Sequence, residues 1–185
     1  IYRGYDIDDL AEHSTFEETS YLLLKGELPG SAQLAAFSAE LTAHRAVPAP
    51  VLELLRRLPA DTPPMSALRT AVSALASYDP DAEDGCEDGD EPATYRKAVR
   101  LSARMATLVA AIHRIRSGKD PVDPDPQLGF AANAMWMLNG RKPGATETRA
   151  MDLILILHAE HGFNASTFTA RVIAATLTDL YSSIV

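Results

Sequence analysis

Apolar residues recur at helical spacing along most of this chain, and a glycine or a proline follows nearly every run. The run from Phe16 to Leu24 stops before Gly26, and the run from Val99 to Ile112 stops before Gly118. Spacings of three and four residues place such side chains on one face of a helix, and no stretch of useful length alternates as a strand does. The pattern therefore predicts an all-α fold of about eight helices without an internal repeat.

Several helix starts are marked by residues that suit a first turn. Ser14 and Thr15, followed by Glu17 and Glu18, form a capping-box pattern. Ser31 is expected to cap the next helix. The remaining helices are expected to begin near Pro50, Pro64, Pro92, Phe130, Glu147 and Ser166, and the last two of them to end near His158 and Ile184. These last two are apolar around most of their circumference, which is typical of helices inside a large body or at a subunit interface. We therefore expect missing chain, a partner subunit, or both.

The net charge of −8 comes from one acidic segment, residues 79–91. This segment holds eight acidic and no basic side chains, and the rest of the chain has 17 of each sign. Its Asp- and Gly-rich composition predicts a solvated loop that repels itself. A calcium-binding loop is the alternative, although the glutamate required at its twelfth position is missing. A basic run follows the acidic segment and consists of Arg96, Lys97, Arg100 and Arg104. It is expected to be a solvated helix face whose positive charge balances the acidic segment. Nothing in it suggests nucleic-acid binding.

Cysteine usage and hydropathy indicate the cellular setting. Cys86 is the only cysteine, so no intrachain disulfide can form, and a cytoplasmic location is expected. The longest apolar run covers residues 151–157 and carries Asp152. It is far shorter than the roughly 18–20 residues that a membrane helix needs, so no membrane association is expected.

Polar side chains concentrate in residues 158–171, directly after an apolar helix, and this density indicates a site. Three interpretations of His158 and His161 stay open. They could begin a metal site, for which no third ligand is evident, or form a structural hydrogen-bonded pair. They could also form a ligand site, in which a histidine beyond the helix end donates an N–H to a carbonyl or carboxylate. Ser166 activated by His161 would be a nucleophile, but no Gly-x-Ser-x-Gly turn surrounds it.

The same segment resembles the signature of the citrate synthases and the closely similar 2-methylcitrate synthases. The likeness continues in order along essentially the whole chain, at residues 2–7, 10–12, 16–18, 22–24, 26–29, 64–65, 68–73, 131–133 and 178–182. It implies part of the multi-helical large domain of that fold, residues 1–185, without the small CoA-binding domain. The acidic segment is the main idiosyncratic feature.

The resemblance implies an acyltransferase that condenses acetyl-CoA with oxaloacetate to citrate and free CoA, with no metal and no cofactor. His161 resembles the histidine that hydrogen-bonds oxaloacetate, and Asn164 lies beside the substrate pocket. Ser166 resembles a serine that orients a second histidine, which supports the enol. The motif with that histidine and the catalytic aspartate are absent, so these 185 residues alone are expected to be inactive. The family also implies a homodimer.

Two alternatives stay open. A 2-methylcitrate synthase would use propionyl-CoA, but that branch more often has a tyrosine where this chain has His158, which favours citrate. A noncatalytic helical interaction module would instead use the apolar final helices as a binding surface. A reading frame that continues past Val185 into a Gly-Pro-x-His-Gly-Gly motif would support the enzyme, and a stop codon would support the module.

Overall fold

The computed structural model describes residues 1–81 and 91–185, without the side chain of Glu91. Most of the acidic segment, Cys86 and the alternative of a calcium loop therefore lie outside the described residues. Those that are described form ten α-helices and one 3-10 helix. The α-helices are α1 (Ile7–His13), α2 (Phe16–Lys25), α3 (Ser31–Ala43), α4 (Ala49–Arg57), α5 (Pro64–Leu75), α6 (Glu91–Arg116), α7 (Phe130–Asn139), α8 (Ala145–His158), α9 (Ala165–Ala174) and α10 (Leu180–Ile184). The 3-10 helix, Ala76–Tyr78, directly follows α5.

The all-α prediction is confirmed. In the described part of the chain, β-structure is limited to one antiparallel bridge between Tyr2 and Tyr5. The capping box at the start of α2 is present, since the Thr15 hydroxyl accepts the Glu18 N–H and the Glu18 carboxylate accepts the Thr15 N–H. Gly26 ends this helix with φ of 91°, a left-handed conformation that glycine adopts without strain.

One predicted helix cap needs correction, and one short helix was not predicted. The cap of α3 is Gly30 rather than Ser31, and the Gln33 side chain accepts the Gly30 N–H at 2.7 Å. Helix α1 was not among the predicted helices, because its apolar stripe is short and buries only Leu10. Its start is set by Asp6, whose carboxylate accepts the Asp8 N–H at 2.9 Å.

The prediction of one long final helix from Ser166 to Ile184 is wrong. Helix α9 ends at Ala174, and a turn leads to α10 at Leu180. Leu177 has φ of 61° in this turn. The Asp179 carboxylate then caps α10 by accepting the Ser182 N–H at 3.0 Å. A short side chain that satisfies the backbone locally competes with helix continuation, which the apolar pattern alone does not reveal.

The chain divides into two compact units. Unit 1 comprises residues 1–44 and 122–161, and unit 2 comprises residues 45–121 and 162–185. In unit 1, α8 packs against α1, α2 and α7. Its core contains Tyr2, Leu10, Leu22 and Ile156.

Polar side chains of α8 also tie the helices of unit 1 together. The Asp152 carboxylate accepts the Phe16 N–H at 2.9 Å and so caps the start of α2. Arg149 pairs with Asp152 at 2.9 Å and donates to the carbonyls of Ala11 and Ser14 at the end of α1. The orphan backbone groups of two helix ends are thereby satisfied by one turn of α8.

Unit 2 is built from α4, α5 and α6, with α10 packed on α5. The fully buried side chains of its core include Val51, Ala71, Leu75, Leu108 and Tyr181. The prediction of a solvated basic face on α6 is wrong for Lys97, which is 1% exposed, and for Arg100, which is 5% exposed.

The basic side chains of α6 form ion pairs with acidic ones, as expected, but some of these ion pairs are buried. Arg100 binds Asp79 at 2.5 Å and Asp81 at 2.6 Å, and the Asp79 side chain is completely buried. Arg96 binds Asp81 at 2.8 Å nearer the surface. The first two acidic residues of the segment are therefore ion-paired rather than solvated, because Arg96 and Arg100 of α6 lie beside them.

Candidate functional site

The segment of residues 158–171 begins at the last residue of α8 and continues through α9. His161 lies three residues beyond the end of α8 and is exposed. His158 and His161 would share one face only if both were helical, and His161 lies outside α8. Across residues 1–81 and 91–185, no group of three or more metal-binding side chains is found. The position of His161 beyond the helix end is the one that the ligand-site interpretation required.

His158 has a structural partner. Its Nδ1 lies 2.8 Å from the Ile154 carbonyl oxygen, one turn back in α8. In the neutral imidazole, Nδ1 must then carry the proton and Nε2 holds the lone pair. The two histidines therefore differ: His158 is bonded to its own helix, and its exposed nitrogen is an acceptor when neutral.

Tyr2, which the sequence marks only as part of the family likeness, holds the end of α8. Its hydroxyl lies 3.0 Å from the Ile156 carbonyl oxygen and 3.1 Å from that of Glu160. The Glu160 N–H donates to the hydroxyl oxygen at 3.3 Å. No local pattern could have revealed these bonds, since Tyr2 and Glu160 are 158 residues apart.

Asn164 and Ser166 belong to unit 2, whereas His161 is the last residue of unit 1. Asn164 is the N-cap of α9, and its side-chain oxygen accepts the Thr167 N–H at 2.9 Å. This bond accounts for an asparagine at the start of a helix without any substrate. The oxygen of Asn164 is thus committed to the cap.

Ser166 lies in the first turn of α9 and is exposed. It lines an open cleft of about 490 Å³ together with Thr167, Thr169 and residues 183–185. Ser166 therefore borders a space that a larger group can enter. Asn164 and Ser166 are brought to the same helix start, one as the cap and the other beside the cleft.

An exposed aromatic pair flanks the start of α9. The rings of Phe163 and Phe168 meet edge to face, with 5.7 Å between their centroids. The Arg171 guanidinium carbon lies 5.4 Å from the centre of the Phe163 ring. This geometry suits a cation–π contact and brings the guanidinium of Arg171, which lies in the last turn of α9, towards a ring that precedes the helix.

Among the described residues of unit 2, several ionisable groups with shifted pKa values surround Asp79. Burial raises the pKa of the Asp79 carboxyl, but hydrogen bonds from Arg100 and Tyr181 outweigh it and hold this pKa below its ordinary value. Hydrogen bonds from Arg96 and Arg100 lower the pKa of Asp81. Burial and the bond to Asp79 raise the pKa of the Tyr181 phenol. Perturbed groups can mark active sites, but here each charge has an opposite partner, as in a structural network.

No helix in the described ranges is both long enough and apolar enough to cross a membrane.

Comparison with known proteins identifies the family. The family model described as citrate synthase, C-terminal domain, matches residues 1–185. The citrate synthase of Haloferax volcanii is 47% identical over 100% of this chain and 48% of its own length. The 2-methylcitrate synthase of Mycobacterium tuberculosis is 43% identical over 99% of this chain and 45% of its own length.

A solved structure agrees with these relatives. The crystal structure of citrate synthase from Pyrobaculum aerophilum matches with a TM-score of 0.93 at 41% identity, over 99% of this chain and 47% of that chain. The chain thus spans about half the length of the proteins that it matches. The predicted resemblance and fold are confirmed, and the chain belongs to the citrate synthase family.

Proposed function

We propose that the full-length protein containing this chain is a citrate synthase, which condenses acetyl-CoA with oxaloacetate and releases citrate and CoA after hydrolysis of the thioester. Membership of the family supports this reaction class. The observation that carries the proposal is the exposed His161 beyond the end of α8. In this proposal the reaction uses no metal and no cofactor, and acetyl-CoA is a substrate.

His161 is proposed to bind oxaloacetate. An imidazole N–H directed at the keto oxygen makes the carbonyl carbon more electrophilic and stabilises the negative charge that develops when the enol attacks. Exposure of His161 leaves its ring accessible to a small dicarboxylic acid. Ser166, beside the cleft of α9, is proposed to orient the histidine that supports the enol, and Asn164 to border the substrate pocket while capping α9.

Replacement of His161 tests the proposal. His161→Ala in the full-length protein should lower kcat/KM for oxaloacetate. The fall should correspond to a loss of about 2–4 kcal/mol in transition-state stabilisation, as for one lost donor at a developing oxyanion. The measurement is thiol release at varied oxaloacetate. His13→Ala is the matched control, because His13 is also an exposed histidine at a helix end, bonded to the carbonyl one turn back. Unchanged oxaloacetate kinetics in His161→Ala would refute the role of His161.

The second candidate is a 2-methylcitrate synthase, which would use propionyl-CoA. It is favoured by the Mycobacterium tuberculosis relative, whose identity of 43% is close to the 47% of the Haloferax volcanii citrate synthase. His158, where that branch more often has tyrosine, favours citrate. Rates of the full-length protein with acetyl-CoA and propionyl-CoA decide between them, and a higher kcat/KM with propionyl-CoA would reverse our choice.

The 185 residues alone are proposed to turn over no acetyl-CoA. They contain no residue that matches the family's enol-supporting histidine or its catalytic aspartate. Citrate formed by this chain in a thiol-release assay would contradict this. A full-length protein that binds no oxaloacetate and forms no citrate would instead favour the noncatalytic interaction module.

We further propose a cytoplasmic homodimer. The single cysteine is consistent with a reducing compartment. The dimer is supported by apolar side chains that remain exposed on α8 and α9, among them Ile154, Leu157, Phe168 and Val172, each at least half exposed. Several exposed apolar side chains on one helix are typical of an interaction surface such as a subunit interface.

A further inference from the structure

Tyr2 is held in place by a tight turn at the start of unit 1. Its N–H and carbonyl each bond to Tyr5 at 2.9 Å. The two residues between them, Arg3 and Gly4, have φ of 50° and 95°. Two consecutive left-handed residues are typical of the tightest hairpin turns. The Tyr2 side chain is thereby directed into the core, where it is 5% exposed beside Leu10 and Ile156.

The Tyr2 hydroxyl joins the last turn of α8 to the chain that leaves it. Ile156 lies in that last turn, and its carbonyl already accepts the Ala159 N–H at 3.2 Å. Glu160 lies two residues beyond the helix end and directly precedes His161. The hydroxyl donates towards the carbonyls of Ile156 and Glu160 and accepts the Glu160 N–H. One buried oxygen therefore restrains the peptide groups on both sides of Glu160.

His161 depends on this restraint for its position. Within the described ranges we see no hydrogen bond to its side chain, which is exposed. The position of the ring therefore depends on the backbone that carries it. Gly162, the next residue, has φ of 62°, a backbone conformation that residues other than glycine rarely adopt. The backbone therefore turns sharply directly after His161.

We propose that the Tyr2 hydroxyl is a positioning group for His161: by fixing the peptide of Glu160, it holds the imidazole where oxaloacetate is bound. This inference rests on the proposed function and extends it to a residue 159 positions away in the sequence, from Tyr2 to His161. Tyr2 touches no substrate in this proposal and acts through His161 alone.

The test compares Tyr2→Phe with Tyr5→Phe in the full-length protein. Tyr2→Phe removes one oxygen and keeps the ring in the core, whereas Tyr5 lies in the same turn with its side chain 40% exposed. Tyr2→Phe should raise KM for oxaloacetate about three- to tenfold, the effect of one ordinary hydrogen bond. KM for acetyl-CoA should not change, and Tyr5→Phe should change neither value. An equal rise in both KM values would show general loosening and overturn the proposal.

A double-mutant cycle separates positioning from mere stability. In a His161→Ala background, Tyr2→Phe should have no further effect on oxaloacetate kinetics, because the group through which it acts is gone. Thermal unfolding of the same four proteins should still show the cost of the lost hydroxyl in both backgrounds. A full Tyr2→Phe effect on oxaloacetate that persists without His161 overturns the proposal.

A second variant covers the case in which Tyr2→Phe does not fold. 4-Fluorophenylalanine at position 2 fills the volume of the hydroxyl but cannot donate to either carbonyl. KM for oxaloacetate should again rise about three- to tenfold, and an unchanged KM in the folded protein overturns the proposal. A parent protein that forms no citrate refutes the proposed function itself, whereas an active parent sensitive to His161→Ala but not to Tyr2→Phe refutes only the role of Tyr2.

Discussion

At the scale of single residues, the Asp79 carboxylate is a fully buried charge of unit 2. It accepts bonds from Arg100 at 2.8 and 2.5 Å, from the Asp81 N–H at 2.9 Å and from the Tyr181 hydroxyl. A buried charge is tolerated only when it is paired and fully hydrogen-bonded, and Asp79 meets both conditions. The pair also ties α10, through Tyr181, to the middle of α6.

Asp79→Asn should therefore destabilise the protein by about 3–5 kcal/mol, because Arg100 would stay buried without its principal counter-charge. Unfolding in urea measures the loss. Glu147→Gln is the control: it also breaks an arginine pair, with Arg141, but both side chains lie at the surface and little change is expected. Equal effects of the two substitutions would show that burial does not govern the strength of the Asp79 pair.

The same carboxylate predicts a pH dependence of stability. Its folded-state pKa is lowered from the ordinary value of 3.8, so its contribution is fully present above that value and is lost as pH falls below it. The free energy of unfolding should therefore fall with acidification below about pH 4. It should fall less steeply in Asp79→Asn, which has no carboxyl to protonate there. Parallel acid profiles of the two proteins, measured by urea unfolding, would contradict this.

At the scale of elements, the turn between α9 and α10 is the feature that the apolar pattern did not predict. Leu177 is left-handed in this turn and 63% exposed, so it contributes backbone strain and buries little surface. A non-glycine residue in this conformation costs roughly 1–2 kcal/mol. The strain persists because Asp179 caps α10 two residues later.

Leu177→Gly should leave stability unchanged or raise it by up to about 1 kcal/mol, since relief of strain offsets the greater freedom of glycine in the unfolded chain. Ala170→Gly, inside α9, should instead lower stability by about 1 kcal/mol. The midpoint of thermal unfolding reports both. A comparable loss in both variants would mean that Leu177 is not strained.

At the scale of the whole molecule, exposed apolar side chains on α9 distinguish it from an ordinary surface helix. Phe168 and Val172 are one turn apart, and each is at least half exposed. Together with the exposed apolar residues of α8, they account for the proposal of a homodimer.

The full-length protein should sediment as a dimer, and Val172→Asp should shift it towards monomer, because a charge would be placed in the apolar contact. Ala36→Asp, at an exposed position of α3, is the control and should leave the dimer intact. Analytical ultracentrifugation measures both. A monodisperse monomer of the unmodified protein would refute the dimer.

Local patterns were sufficient for most helix boundaries and for the family. Thr15 with Glu18 and Gly26 act within one or two turns of their own helix, so their effects can be deduced from neighbouring residues. The position of His161 beyond α8 was likewise expected, because it depends on where one amphipathic run ends. The N-cap role of Asn164 depends on an equally local bond, but it was not predicted; the family likeness predicts only a place beside the substrate pocket.

Tertiary structure decided the contacts between residues far apart in the sequence. Which helices pack together decides that Lys97 and Arg100 are buried. It also decides that Asp79 accepts a bond from a tyrosine 102 residues away and that the Tyr2 hydroxyl bonds to the end of α8. The sequence alone determined an all-α chain of the citrate synthase family, because helix formation and caps are local. Only packing determined which charges are buried and what holds His161, because those interactions exist only once distant segments meet.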